Sequence, residues 1–252
     1  MHGNYVLNPD GEKIFLATQG PLKTTTGTFW KMLIQEQSTL IVMLCQCEEQ
    51  KYDEKKKKLI MAPKSTQYWP SDIKTPLFFD NLQISAKRIQ KITYQMGNRQ
   101  ESIVKTDIEI IDKNSKEFIH KCLHIQYKNW KDLSIPDMAE PVMDICIKFV
   151  LPSLKASKPV TVHCSAGIGR TGAFIATIYC FELFIKNQLV KIPNAVKMLR
   201  AQRHGAVQTF PQYLFMQMVL MELIEYSCEV KLGAAKATIK SAMDRQKSKQ
   251  KK

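Results

Sequence analysis

The chain has 252 residues, of which 44% are apolar, and this length and composition favour one domain with a sizeable core. Its formal charge of +14 favours acidic ligands. No apolar run approaches the roughly 18 residues that span a bilayer, and no secretory signal opens the sequence. Seven cysteines, an odd number lying mostly in apolar runs, are typical of a reducing compartment. We therefore expect a soluble cytoplasmic protein and exclude a membrane-spanning one.

The first third of the chain predicts a helix, a buried strand and an exposed turn. The segment TGTFWKMLIQEQ (26–37) repeats apolar residues at helical spacing, and LIVML (40–44) is a β-branched apolar run typical of a buried strand. The charged run YDEKKKKL (52–59) predicts an exposed loop or hairpin tip.

The middle of the chain predicts antiparallel strands followed by a helix. The segments 77–97 and 101–112 alternate apolar and polar residues, as half-buried strands do. PVMDICIKFVLPSL (141–154) has the helical repeat, with Pro141 near its start and a stop expected around Pro152.

The last third predicts one short strand and three helices. The strand PVTVH (159–163) precedes a glycine-containing loop and a helix over 170–184, and two more helices are expected over 194–202 and 211–226. The chain is therefore expected to form a single α/β (α+β) domain over 1–230, with helices flanking a twisted mixed sheet.

The C-terminal segment 231–252 differs from the rest in charge. It carries eight lysines and arginines against one aspartate, about half of the excess positive charge. We expect a solvated, disordered tail that contacts acidic partners at most weakly, rather than a specific site for nucleic acid or lipid.

The segment VTVHCSAGIGRTGAF (160–174) carries the main chemical signal. A tight loop between a strand and a helix N-terminus directs backbone N–H groups at an anion, and the helix dipole favours negative charge there. Cys164 in this position is stabilised as a thiolate nucleophile by the helix and by the neighbouring Arg170. The planar guanidinium of Arg170 can bind two phosphate oxygens. We therefore predict a phosphate cradle around a nucleophilic cysteine.

Other residues of the loop fit the same prediction. Gly167 and Gly169 allow the inward turn, and His163 can hold the loop by hydrogen bonding. Thr171 can donate its hydroxyl to the sulfur when the sulfur leaves phosphorus. The predicted phosphate-binding residues are Ser165, Ala166, Gly167, Ile168, Gly169 and Arg170.

The stretch VHCSAGIGRTG (162–172) resembles the signature of the cysteine-dependent protein tyrosine phosphatases, His-Cys-(five residues)-Arg-Ser/Thr-Gly. Six further segments resemble family segments in the same order, among them FLATQGPL (15–22), QYWP (67–70) and LRAQRHGAVQTFPQYLF (199–215). The resemblance implies the fold of that family and hydrolysis of phosphotyrosine through a phosphocysteine, without metal or cofactor.

The resemblance also implies a general acid. NWKD (129–132) stands where the family carries Trp-Pro-Asp on a loop that closes over substrate, so Asp132 would be the acid and then the base, with Trp130 as an anchor. Asp137 is a rival acid in the same loop. Lys131 replaces the family proline; we expect a looser loop and, from the adjacent charge, a lower pKa for Asp132 and reduced turnover.

Further site residues follow from the resemblance. Gln208 and Gln212 match the glutamines that place the hydrolytic water, so Gln208 would also contact substrate. Arg203 would support the site through a buried ion pair, and Lys64 would meet the acid loop. The family usually carries an acidic residue a few positions before that lysine, but Leu59 and its neighbour stand there, which leaves Arg170 without an identified partner.

One family feature has no counterpart in the sequence. The family domain normally begins with a helix and an Asn-Arg-Tyr segment whose tyrosine packs against the substrate phenol, whereas this chain opens with NYVLNPDGEKIF (4–15). We expect either a fragment or a domain that lacks part of this wall. The sequence thus predicts a non-receptor-like phosphatase, with a catalytically weak phosphotyrosine-binding module as the alternative.

Overall fold

The computed structural model describes residues 1–188 and 191–249, with the side chains of 247–249 outside the description. Ten strands are present in it: β1 Gly3–Leu7, β2 Lys13–Thr18, β3 Leu40–Met43, β4 Glu48–Asp53, β5 Lys58–Pro63, β6 Leu77–Phe79, β7 Leu82–Met96, β8 Arg99–Asp112, β9 Phe118–Tyr127 and β10 Val160–His163. The helices of the described residues are α1 Thr26–Gln35, α2 Glu140–Ile145, α3 Leu151–Lys155, α4 Arg170–Ile185, α5 Ile192–Gln202, α6 Phe210–Cys228 and α7 Gly233–Lys249.

Eight strands form one mixed sheet in the order β1-β2-β10-β3-β9-β8-β7-β6. The four central strands, β2, β10, β3 and β9, run parallel, and the flanking pairs are antiparallel. The central strands β3 and β10 are buried along their whole length, which explains their β-branched apolar sequences. The prediction of a single-domain α+β fold with a mixed sheet flanked by helices is confirmed.

The parallel centre determines where the chemistry lies. β10 is inserted between β2 and β3, and Met43 is in register with His163. The loop after β10 therefore emerges at the carboxyl ends of three parallel strands and leads into α4, which begins at Arg170 and is buried over most of its length. Ligands of open α/β sheets bind at such carboxyl ends.

The helix predicted over 141–154 is observed as one continuous helical stretch over 140–155. A π-helical turn, Cys146–Val150, joins α2 to α3, and α3 continues to Lys155. Pro152 lies in the first turn of α3. The helical stretch ends at Lys155, three residues beyond Pro152.

The lysine-rich run predicted as a hairpin tip is the turn between β4 and β5, which pair with each other in a separate two-stranded sheet. The segment for which the sequence predicts a disordered tail contains α7. On this helix Lys236 Nζ lies 2.7 Å from Glu222 Oε1 and 2.8 Å from Glu225 Oε2 of α6, and Met243 packs against the core. Composition alone could not reveal these contacts.

Candidate active site

Cys164 follows β10 directly and is 3% exposed. The loop after it is fixed by close backbone approach, because Gly167 has φ +71° and a Cβ atom there would lie 2.1 Å from the Thr18 carbonyl oxygen. A Cβ atom on Gly172 would lie 2.5 Å from the Val207 nitrogen. These positions require glycine, which explains the glycine-rich sequence around the thiol.

A chain of buried hydrogen bonds lies beneath the loop. Nδ1 of His163 lies 3.1 Å from the Cys164 carbonyl oxygen, and the Tyr68 hydroxyl lies 2.6 Å from His163 Nε2 and 2.9 Å from His124 Nε2. Burial lowers the pKa of His163 to about 4 and that of His124 well below its usual value, so both rings are neutral.

The directions of these bonds follow from the number of protons. A carbonyl only accepts, so the one ring proton of His163 is on Nδ1 and Nε2 accepts from Tyr68. The Tyr68 oxygen then accepts from Nε2 of His124. His163 was predicted as a supporting residue, whereas Tyr68 and His124 were not, since nothing in a single sequence shows that they meet at this point.

Arg170, the first residue of α4, is fully buried. Its Nη1 donates to Glu49 Oε1 and, at 2.8 Å, to the Trp130 carbonyl, while Nη2 lies 3.3 Å from Asp132 Oδ1. Within the described residues, Nε of Arg170 has no hydrogen-bond partner. One side of the guanidinium is thus anchored and the other retains donors for an anion.

The acidic partner of Arg170 corrects the expectation that no carboxylate is available. Glu49 is the second residue of β4, fifteen positions before Lys64 in the chain, because the β4–β5 hairpin lies between them. The prediction of an acid only a few residues before Lys64 was wrong because the whole β4–β5 hairpin separates the two residues in the chain.

The predicted acid, Asp132, lies over the loop. Its Oδ2 accepts from Lys64 Nζ at 2.7 Å, and the Leu133 N–H donates to Oδ1 at 3.1 Å. Burial opposes ionisation of Asp132, but the Lys64 hydrogen bond and the positive charge of Arg170 outweigh it and hold the pKa below its usual range. The sequence predicted a lowered pKa for Asp132 from the charge of Lys131. The pKa is lowered, but Lys64 and Arg170 are the main positive groups responsible.

The loop that carries Asp132 is anchored by Trp130, which is 1% exposed. Its Nε1 donates to the Ser134 carbonyl at 2.8 Å, and its ring packs edge-on against Phe215 at 5.2 Å between centroids. The rival acid Asp137 lies elsewhere, with its carboxylate 3.5 Å from Arg99 Nη1.

The glutamines lie beside the loop, next to Gly169. Gln212 is fully buried and forms a capping box with Thr209 at the start of α6. Its Oε1 also accepts from the Gln208 N–H, and its Nε2 has no hydrogen-bond partner within the described part of the chain. Both side chains come within about 3 Å of the site that a Cβ on Gly169 would occupy.

Arg203 binds the outer side of the loop, but not through an ion pair. Its Nε donates to the Gly167 carbonyl at 3.0 Å, its Nη2 to the Ala166 carbonyl at 3.3 Å and its Nη1 to Asn4 Oδ1 at 3.0 Å. The predicted ion pair is wrong because neutral carbonyl and amide oxygens satisfy the guanidinium. The hydroxyl of Thr171 is buried and makes no hydrogen bond among residues 1–188 and 191–249. Its donation to the sulfur as the sulfur leaves phosphorus stays a prediction.

The model of the family described as protein-tyrosine phosphatase matches residues 1–222. The chain belongs to the protein-tyrosine phosphatase family. It is 36% identical over 223 residues to mouse tyrosine-protein phosphatase non-receptor type 7, covering 87% of this chain and 55% of that protein. It is 31% identical over 224 residues to human non-receptor type 5, covering 87% of this chain and 35% of that protein.

Solved structures show the same phosphatase fold. The catalytic domain of human protein tyrosine phosphatase non-receptor type 18 superposes with a TM-score of 0.72 at 23% identity, covering 88% of this chain and 73% of that structure. The chain spans about a third to a half of the length of the curated relatives named above. Within the described residues, no helix is long and apolar enough to cross a membrane.

Proposed function

We propose that the protein hydrolyses phosphotyrosine in proteins through a phosphocysteine intermediate. The observation that carries the proposal is the buried pairing of Cys164 and Arg170 in one loop, with Arg170 Nε unpartnered and its other side anchored by Glu49. Family membership supports the same activity. Solved type 18 phosphatases in complex with phosphopeptides support this class of substrate.

In the first step the Cys164 sulfur attacks phosphorus and the bond from phosphorus to the phenolic oxygen breaks. The electron pair of that bond goes to the phenolic oxygen, and Asp132 supplies its proton. Arg170 and the N–H groups of residues 165–170 bind the remaining phosphate oxygens as charge develops. In the second step Gln208, beside Gln212, positions a water whose oxygen attacks the phosphorus of the phosphocysteine while Asp132 takes the water proton. The bond from sulfur to phosphorus breaks, its electron pair returns to Cys164 as the thiolate, and inorganic phosphate is released.

The Arg170–Asp132 contact explains how a carboxyl with a lowered pKa can act as an acid. A bound phosphate dianion takes up the donors on Nη2 and Nε of Arg170 and places negative charge near Asp132. Both changes favour the protonated carboxyl. Binding of substrate therefore converts Asp132 to the state that the first step needs.

The test compares the wild type with Cys164→Ser and Asp132→Ala on a small aryl phosphate and on a phosphotyrosine peptide. Removing the nucleophile should abolish turnover, and removing the acid should lower kcat by about 10²- to 10⁴-fold. If the wild type is no faster than Cys164→Ser yet binds the peptide, the chain is a binding module and the proposal fails.

We also propose that the protein works in the cytoplasm. All seven cysteines are free, as in reducing compartments, and the relatives named above are non-receptor types. The basic residues of the segment 231–252 would at most add weak attraction for acidic partners. Replacing the exposed basic residues Lys231, Lys240 and Arg245 by glutamine leaves the Lys236 and Met243 contacts in place. This variant should hydrolyse the aryl phosphate like the wild type and show a smaller dependence of partner binding on salt.

A further inference from the structure

A cleft of about 980 Å³ opens at the edge of the catalytic loop. Ser165 and Ala166 form one side of it, and Met61 and Pro63 of the hairpin strand β5 form another. Ile89 of β7 also lines it. A substrate chain that places its phosphotyrosine over Cys164 would continue into this space.

The β4–β5 hairpin presents an exposed apolar face that continues the wall of the cleft. Tyr52 is paired with Leu59, and Gln50 with Met61, so these side chains share one face. Leu59 is 62% exposed, Met61 55% and Tyr52 47%. Glu49, on the opposite face, turns towards Arg170. An apolar face with this degree of exposure indicates an interaction site.

The charges that line the cleft favour an acidic occupant. Three lysines line it, Lys23, Lys64 and Lys128, against one acidic residue, Glu48. Lys64 is bound to Asp132. Lys23 and Lys128 are exposed, and neither makes an ion pair within residues 1–188 and 191–249. Two unpaired lysines remain available beside the catalytic loop.

We propose that this cleft, named here the hairpin cleft, binds the acidic residues that flank phosphotyrosine in the substrate, with an apolar substrate side chain on the Leu59–Met61 face. The inference rests on the proposed function and adds to it a preference for phosphotyrosine substrates with acidic flanking residues. Lys23 and Lys128 pair with substrate carboxylates, while the apolar face excludes water around them.

The test measures kcat/KM for three substrates in the double variant Lys23→Glu/Lys128→Glu. The substrates are a phosphotyrosine peptide with an acidic flank, the same peptide with glutamines in that flank, and a small aryl phosphate. In the variant, two pairs of a lysine and a substrate carboxylate become pairs of like charge. We therefore expect kcat/KM for the acidic peptide to fall at least tenfold. The glutamine peptide and the aryl phosphate should change less than twofold.

The matched control is Lys113→Glu/Lys155→Glu, which changes the net charge equally at exposed positions that do not line the cleft. It should retain the preference for the acidic peptide. A second variant, Leu59→Ser/Met61→Ser, should lower kcat/KM for peptides with an apolar flanking residue several-fold and leave the aryl phosphate unaffected.

Three results would overturn the inference. One is equal kcat/KM for the acidic and glutamine peptides in the wild type, and another is an equal loss in both double charge variants. The third is a dimer that Leu59→Ser/Met61→Ser dissociates without effect on peptides, which would assign the face to a second copy. In each of these three cases the wild type still hydrolyses the aryl phosphate. If the proposed function itself is wrong, the wild type does not hydrolyse the aryl phosphate, so the two failures can be distinguished.

Discussion

The substitution Glu49→Gln tests the buried ion pair that holds Arg170 in place. The Arg170 side chain is fully buried and that of Glu49 is 9% exposed, so water cannot replace the lost carboxylate charge. Breaking a buried pair by removing one partner costs about 3–5 kcal/mol. The Trp130 carbonyl and Asp132 still contact Arg170, so we expect a loss near the lower end, about 3 kcal/mol of unfolding free energy.

The measurement is urea unfolding together with kcat/KM for an aryl phosphate. Glu49→Gln should lower both the unfolding free energy and kcat/KM, because a guanidinium without its anchor no longer faces the phosphate. Glu48→Gln is the matched control, since its side chain is exposed and lies on the opposite face of β4. An ordinary surface substitution changes the unfolding free energy by about 0.5 kcal/mol or less. If the unfolding free energies of the two variants differ by no more than this and their kcat/KM values are equal, the ion pair does not position Arg170.

Three further variants test separate parts of the site. Lys64→Gln removes a hydrogen bond that lowers the pKa of Asp132, so the alkaline limb of the pH profile of kcat/KM should move to higher pH. Gly167→Ala forces a Cβ atom against backbone, and kcat should fall by about 10²-fold as the loop is displaced. Tyr68→Phe removes the hydroxyl that donates to His163 and should cost about 1–3 kcal/mol of unfolding free energy.

Each of these variants has a control. Lys131→Gln should move the alkaline limb much less than Lys64→Gln, because Lys64 and Arg170 are the main positive groups that lower the pKa of Asp132; an equal shift in both variants would refute this assignment. Gly97→Ala, at an open turn with positive φ, should lose stability but not kcat, which separates backbone strain from displacement of the loop. Tyr226→Phe, at an exposed tyrosine, should unfold like the wild type.

The ionisation of Asp132 also affects stability. Its pKa is lower in the folded protein, so its contribution is present above the pKa of the unfolded chain and is lost as pH falls through the folded value. The side chain is 40% exposed, so solvent screens this contribution.

Local patterns were enough to predict most of the fold and the catalytic loop. The strand that precedes Cys164 and the helix that begins at Arg170 follow from periodicity and glycine placement, and both lie where predicted. The prediction succeeded there because the parts of the loop are contiguous in sequence.

The contacts between distant segments could not be predicted in the same way. Glu49 contacts Arg170, which lies 121 positions later in the chain, and Tyr68 contacts His124, which lies 56 positions later. The same limit applies to α7, whose Lys236 finds acidic partners on α6. Such pairings depend on topology, which composition and spacing do not encode.

Covalent transfer of phosphate to Cys164 is the central claim, and trapping that intermediate tests it most directly. The protein is mixed with an aryl phosphate, quenched in acid within the first turnover, digested and examined by mass spectrometry. We predict one added phosphate on the peptide that contains Cys164, and none in Cys164→Ser. Release of the phenol by the wild type without phosphate on this peptide, or equal turnover by Cys164→Ser, would contradict the account.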